Sequence, residues 1–341
     1  MKIITDYHHG GLYYSLHLLF EKRLGWEIYR PIGFDWFENG YWKIAEPYGN
    51  AQGTINQYLD INSRGWDPYQ NLNGDYYLED GIYHVYDHEN DFQHKAITFA
   101  QFKKMQFDYI MPTYPDHKNW GELLQFQPTA KFLAQIGNEG QTTPVMNVLS
   151  SVFQYAPSHI DQKVFYYHQE TDMEMFRYKE PTRSNKITSF VIGLPERETF
   201  EKFRDALPEF DMKAYGPGAI NGNLNTREAM VDEMHNSLFG WHIKYADGYG
   251  HLLHQWYACG RPVIIRGSFY QGKTAGLLLT DQVTCIDIDK HSFEESLQLI
   301  RFWSKPENHK KMCEAARRRF EEVVNLDDEA KRLKEWLANI V

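Results

Sequence analysis

Cysteine is scarce: the 341 residues hold three, Cys259, Cys285 and Cys313, odd in number and scattered. That argues against a disulfide framework and suits a reducing compartment. Long apolar runs are missing as well. No stretch approaches the roughly 20 residues of a membrane span, and after Met1-Lys2 the chain enters a short strand-like run where a signal peptide would have its apolar core. A cytoplasmic chain without a transmembrane segment is therefore expected. Positive charge is also short, with 36 Lys and Arg against 46 Asp and Glu and a formal net charge of -10, so non-specific binding to nucleic-acid backbone is not expected. Hydrophobic residues are sufficient for packed cores at 42%, and aromatics are plentiful at 16%. The length exceeds what one core usually supports, so two domains are the natural reading.

The most informative stretch is 242–265. A Gly-rich turn, Asp247-Gly248-Tyr249-Gly250, opens an amphipathic segment, and Ala258-Cys259-Gly260-Arg261-Pro262 closes it before the apolar run Val263-Ile264-Ile265. The pattern predicts strand, loop, helix, turn and strand. Two glycines allow the backbone to approach a ligand, and the helix that follows directs its N–H groups and dipole at it, an arrangement suited to phosphate or polyhydroxyl ligands. An ordinary βαβ turn with Gly at both ends would read the same way.

The chain opens similarly. Residues 2–5 form a buried-type strand, the loop 6–12 contains His8, His9, Gly10 and Gly11, and Leu12, Leu16, Leu19, Phe20 and Leu24 share a helical face before the strand 27–30. Loops at the carboxyl ends of such strands are where open α/β sheets bind ligands. From 33 to 95 the pattern loosens into an aromatic-rich insertion with Trp36, Phe37, Tyr41, Trp42, Tyr58, Trp66, Tyr69, Tyr76 and Tyr77. It either stacks rings on sugar or carries its own small structure. Strands are expected at 107–111, 131–136, 164–167, 187–192, 211–215 and 241–244, with helices at 121–126, 197–206, 227–235, 293–303, 308–324 and 327–340. The polar, Pro-containing stretch 179–185 reads as a linker.

These motifs resemble retaining glycosyltransferases of the GT-B architecture, the group 1 or family 4-like enzymes, in which two Rossmann-like domains face each other across a cleft. The family's Glu-Gly-Phe-Gly, second Glu and Ala-x-Gly-x-Pro-Val-Ile correspond to Asp247, Gly248, Tyr249, Gly250, Gln255, Ala258, Gly260, Pro262, Val263 and Ile264. Asp247 and Gln255 depart from the two glutamates; Gln255 can hydrogen-bond a ribose diol but brings no charge. Asp172 and Phe176 keep the spacing of a motif just before the domain crossing. The resemblance implies an α/β fold with an acceptor-side domain at 1–180, a donor-side domain at 186–325 and a final helix at 326–341 returning to the first domain through Leu333, Trp336 and Leu337.

It further implies a hexosyltransferase-like activity: a sugar moves from a nucleotide-diphosphate sugar to an unidentified acceptor, glycan, lipid-linked or other, with retention and with neither metal nor cofactor. Asp247 would hold the sugar, with His117 or Asn138 standing where the family has a His. Gly10, Gly11, Gly248, Tyr249, Gly250, His251 and Gln255 would bind the donor, and Arg197, Lys202 and Lys244 would neutralise its phosphates.

Other motifs compete. Gly267-Ser-Phe-Tyr-Gln-Gly-Lys273-Thr274 satisfies the P-loop pattern and follows a strand, so a P-loop phosphotransferase is one alternative, although Phe269 and Tyr270 are bulky for a phosphate cradle. A milder version has Lys273 and Thr274 bordering the donor pocket. A second alternative is a non-catalytic nucleotide-sugar-binding protein. Asp287 and Asp289 match the metal-binding Asp-x-Asp of another glycosyltransferase architecture, or cap the helix after them. His84, His88 and His94, interspersed with Asp87, Glu89 and Asp91, are metal-capable residue types in no standard zinc spacing.

Overall fold

The computed structural model describes residues 1–5, 10–31, 76–87, 91–97, 99–111, 123–137, 141–153, 155, 157, 160–190, 193–216, 218–224, 226–246 and 248–340. Strand β1, Lys2–Thr5, leads into helix α1, Gly10–His17, which continues as a wider turn over Leu18–Arg23 and returns through β2, Glu27–Pro31. The apolar stripe read from the sequence explains this: Leu16, Leu19 and Phe20 are buried against Ile3, Trp26 and Ile28. The described end of the aromatic-rich segment, from Tyr76 on, carries its own structure. A hairpin of β3, Tyr76–Glu79, and β4, Ile82–Asp87, turns into β5, Phe92–Ile97, which runs parallel to β2. Trp36, Phe37, Tyr41, Trp42, Tyr58, Trp66 and Tyr69 lie outside the described residues.

After a single turn α2, Phe99–Phe102, come β6, Tyr109–Met111, and β7, Lys131–Phe132, completing a sheet of order β3-β4-β5-β2-β1-β6-β7. The expected helix at 121–126 is a short 3-10 turn at 123–125, with 121 and 122 outside the described residues. The expected strand 131–136 breaks at Leu133, so β8, Ala134–Ile136, joins a second small parallel sheet with β9, Asn147–Ser150, and β10, Lys163–Tyr166.

The remainder forms one parallel sheet of order β12-β11-β13-β14-β15. Its elements alternate: β11, Lys186–Ser189; α3, Leu194–Ala206; β12, Asp211–Ala214; α4, Arg227–Asn236; β13, Phe239–His242; α5, His251–Ala258; β14, Val263–Ile265; β15, Cys285–Asp287; and α6, Phe293–Trp303. This is a doubly wound order whose direction of winding reverses between β11 and β13, the place where such sheets bind ligands. The loops leaving those two strands are 190–193 and 243–250.

Helix α7, Pro306–Val323, covers this sheet. Helix α8, Leu326–Ala338, then crosses back. Its Ala330, Leu333 and Leu337, with Ile340 beyond it, are buried among Ile3, Tyr109 and Phe165, and Trp336 packs on the Phe165 ring at 5.7 Å. At roughly 1.5–3 kcal/mol per fully buried leucine, Leu333 and Leu337 alone are enough to hold the helix there. Among the described residues, no helix is long and apolar enough to cross a membrane.

Candidate functional site

The turn after β13 is built on left-handed glycines. Gly248 has φ +80° and Gly250 has φ +88°, conformations that cost an L side chain about 1–2 kcal/mol. The space beside them is already filled by protein. A Cβ on Gly250 would meet Cε1 of Tyr270 at 2.8 Å, and one on Gly248 would meet Nζ of Lys244 at 3.1 Å. The glycines therefore let the chain turn tightly under Tyr270 and Lys244; the close approach expected of a ligand is made, on that side, by these two residues. Tyr270 in turn hydrogen-bonds His242, whose imidazole burial and Lys244 push down to about 3.

The arm before the turn is fixed from α3. Glu196 accepts the Tyr245 N–H at 3.2 Å, and the Thr199 and Tyr245 hydroxyls meet at 2.6 Å. Behind the turn, Tyr249 points inward, its hydroxyl 3.0 Å from His254 Nε2 and 2.8 Å from Thr274 Oγ1. Its side chain is thus core structure, which leaves the backbone as its means of meeting a donor. His251 opens α5, and one turn on is Gln255, 4% exposed, whose Oε1 has no hydrogen-bond partner among the described residues. An orphaned buried amide oxygen costs about 1–3 kcal/mol, so Gln255 has an acceptor available to a hydroxyl-bearing ligand.

Of the basic residues expected to neutralise phosphate, only Lys244 lies at the turn. Its Nζ reaches back over Gly248 and sits 5.2 Å from the Phe269 ring centroid. Arg197 is exposed on α3 and pairs with Glu201 at 3.0 Å, one helical turn away. Lys202 is exposed too, with Nζ 4.1 Å above the Phe293 ring. Helical geometry turns both toward partners on the flank of α3, so the structure does not bring them to Gly248 and Gly250. Asp247, His117, Asn138, His8 and His9 lie outside the described residues.

Sequence reasoning missed Arg227. Thr226 caps α4 by accepting the Ala229 N–H at 3.1 Å, and this places Arg227 at the helix start with its guanidinium 4.1 Å above the ring of Tyr14 in α1. A residue of the second sheet's layer thereby touches the helix that Gly10 and Gly11 begin, so the ligand-binding ends of the two parallel sheets face each other. Tyr14 also donates to Asp172 at 2.7 Å, and Asp172 accepts the N–H groups of Glu174 and Met175. Phe176 closes that turn through its N–H to the Asp172 carbonyl at 2.9 Å. The Thr226 cap was a readable signal; the meeting with Tyr14 was not.

The P-loop pattern is a different object. Residues 267–274 fold into two short 3-10 turns, beginning Gly267–Tyr270 and Thr274–Leu278. Backbone donors that a phosphate cradle would present are committed: Gly267 N–H to Asp287, Ser268 N–H to Asp289, Phe269 N–H to the Arg266 carbonyl, and Thr274 N–H to the Ser151 carbonyl. Lys273 is 5% exposed and donates to the Phe269 carbonyl at 2.7 Å. A phosphate has neither the N–H groups nor the lysine, so the phosphotransferase reading is not favoured.

The same bonds explain the Asp-x-Asp pattern: Asp287 and Asp289 clamp this loop, and Arg266 pairs with Asp289 at 2.8 Å. Two members of the histidine group, His84 and His94, do not share a site either. Strand register sets His84 opposite Lys95 and His94 opposite Val85, which puts the two imidazoles on opposite faces of the sheet; His88 lies outside the described residues.

The segment between the two layers is tied at both ends. Arg261 is 1% exposed, and its guanidinium donates to the carbonyls of His235 at 2.8 Å, Lys179 at 2.8 Å and Cys259 at 3.1 Å. Thus the x of Ala-x-Gly-x-Pro strings the linker to α5. At the other end, His168 meets Glu329 at 2.5 Å, and Arg23 pairs with Glu170 at 2.6 Å and also with Asp327.

No protein-family model matches the chain, and no curated protein sequence matches it. Solved structures do. A glycosyltransferase from Rickettsia africae superposes with TM-score 0.60 at 11% identity, covering 98% of this chain and 97% of its own. Anabaena HepE, solved in complex with UDP-glucose, gives 0.58 at 11% identity over 100% of both chains. Sucrose-phosphate synthase from Thermosynechococcus elongatus gives 0.59 at 11% identity over 98% of each. With two facing parallel α/β layers, a glycine turn after β13 and a last helix that returns to the first layer, the chain has the fold of the GT-B glycosyltransferases.

Proposed function

We propose that this chain is a hexosyltransferase-like glycosyltransferase that moves a sugar from a nucleotide-diphosphate sugar to an acceptor with retention, the donor lying along 186–325 and the acceptor entering from 1–180. The observation that carries the reading is the buried Gln255 with its unpartnered Oε1, one helical turn beyond a left-handed glycine turn at the reversal point of a doubly wound sheet. That is where a ribose diol can be bound by an amide. Proteins with this fold include one solved with UDP-glucose, which supports the donor class.

In the mechanism this implies, the protein supplies position and charge and no nucleophile. The first turn of α5 directs its dipole at the leaving diphosphate, and Lys244, whose Nζ lies beside Gly248, supplies positive charge there. Asp247 holds sugar hydroxyls, and a donor phosphate oxygen accepts the acceptor's proton on the face from which the sugar bond breaks. The test is Asp247→Ala. It is expected to abolish hydrolysis of a labelled nucleotide sugar, the background reaction without acceptor, while thermal unfolding is unchanged. An active, folded variant would remove Asp247 from the mechanism, and failure of every nucleotide sugar to raise the wild-type unfolding temperature would remove the donor class.

A further inference from the structure

The widened turn that ends α1 and the returning helix α8 bound a cavity of about 390 Å³, lined by Lys22, Arg23, Asp327, Lys331 and Lys334 against an apolar backing that includes Leu24. The shared core puts them there. Leu19 and Phe20 from one element and Leu333 and Leu337 from the other are buried together, which leaves Lys22 on one wall and Lys331 and Lys334 on the other exposed.

Counter-charge is missing. Neighbouring carboxylates in the sequence are committed elsewhere: Glu21 to His17 at 3.0 Å and Lys95 at 3.4 Å, Asp328 to Arg332 at 2.9 Å, and Asp327 to Arg23. Among the described residues no carboxylate pairs with Lys22, Lys331 or Lys334. Lys331 and Lys334 stand three positions apart on α8, a like-charge arrangement that destabilises a helix, and they do so in a chain of formal net charge -10. A lone exposed lysine is ordinarily a solvated charge; three that line one concavity without a counterion focus the field there and draw anions in.

Arg23 is the fourth cation. Glu170, 2% exposed, holds it from the buried side at 2.6 Å, whereas the Asp327 side chain on the cavity side is 91% exposed. That second pairing is the solvent-screened kind an incoming anion displaces. Three unpaired ammonium groups exceed the roughly two charges of a phosphate monoester, and a diphosphate matches them better.

We infer that this cavity binds a diphosphate group, with Lys22, Lys331 and Lys334 as its cations and Arg23 exchanging Asp327 for the ligand. The inference does not depend on the transferase reading, whose own diphosphate lies against the turn after β13 in the other layer. Free pyrophosphate and a nucleoside diphosphate share the chemistry recognised.

The test acetylates the full chain with N-hydroxysuccinimidyl acetate at low salt and reads each lysine by mass spectrometry in the presence of inorganic pyrophosphate, UDP or inorganic phosphate. Pyrophosphate is expected to protect Lys22, Lys331 and Lys334 saturably and at one midpoint, and phosphate to protect them more weakly. Lys290 and Lys310, exposed at 61% and 63% of their side chains, should keep their rates. Whichever of pyrophosphate and UDP has the lower midpoint names the source. The double variant Lys331→Gln and Lys334→Gln should raise the midpoint read at Lys22 roughly tenfold or more, the loss of two charge-assisted contacts; Lys22→Gln, read at Lys331, is the reciprocal measurement. Absence of protection, protection spread equally over Lys290 and Lys310 (an adventitious ion only), phosphate as effective as pyrophosphate, or an unchanged Lys22 midpoint in the folded double variant would each overturn the proposal.

Discussion

Substituting Gly250 by alanine tests how the candidate site is built. The new methyl group would sit 2.8 Å from Cε1 and 3.3 Å from the hydroxyl of Tyr270. Tyr270 cannot easily retreat, because it is buried among Phe269, Ala275 and Leu278 and bonded to His242. Overpacking of this kind costs about 1–3 kcal/mol, and the left-handed backbone adds about 1–2 kcal/mol, so Gly250→Ala should lose about 2–5 kcal/mol.

Gly248→Ala is the internal control. Its backbone strain is the same, but the nearest atom is the end of a flexible lysine at 3.1 Å, so a loss of about 1–2 kcal/mol is expected. Urea denaturation with an unchanged slope gives both values. In a double-mutant cycle, Tyr270→Ala should absorb the excess of Gly250→Ala and leave only the strain. The thermodynamic loss should be accompanied by weaker nucleotide-sugar binding, because α5 and Gln255 hang from this turn. Equal destabilisation by the two alanines would show that Tyr270 does not set the turn, and the account of the site would be wrong.

Two more measurements follow. Lys273→Met removes a buried ammonium that donates to the Phe269 carbonyl at 2.7 Å; it should cost about 1–3 kcal/mol of stability and leave nucleotide-sugar affinity unchanged, whereas lost affinity with intact stability would restore the P-loop reading. Glu170 is 2% exposed, and burial, opposed by Arg23, pushes its carboxyl up from 4.5 to about 7. A pKa raised on folding contributes stability that is fully present below about 4.5 and is lost as pH rises through about 7. Denaturation at pH 5 and pH 8 should therefore show Glu170→Gln gaining on wild type at the higher pH, and a difference that is constant or opposite in sign would contradict the burial argument.

Much of the fold was legible because its signals are local. Gly250, Gly260 and Pro262 bracket α5 in the sequence as they do in space, and the helix that the family resemblance returns to the first domain does so through Leu333 and Leu337. Residues 76–97 were not legible as a hairpin with a following strand, since rings such as Tyr77, which stacks on His84 at 4.6 Å, follow cross-strand pairing and not a helical period. The P-loop and Asp-x-Asp patterns misled for one shared reason. Their donors and acceptors satisfy each other, Gly267 with Asp287 and Ser268 with Asp289, and a pattern of residue types does not show which groups are already occupied. Arg227 was invisible as a site residue because what distinguishes it is the tyrosine it covers, Tyr14, and that meeting is made by topology.

The joint between the loop after β14 and the first layer is written largely in main chain: Phe153 N–H to the Gly272 carbonyl at 2.6 Å, and Thr274 N–H to the Ser151 carbonyl at 3.0 Å. Groups that every residue but proline carries do not depend on which side chains flank them. A joint made of such groups places little demand on the side chains around it, so substitutions along 151–153 and 272–274 are expected to leave it in place.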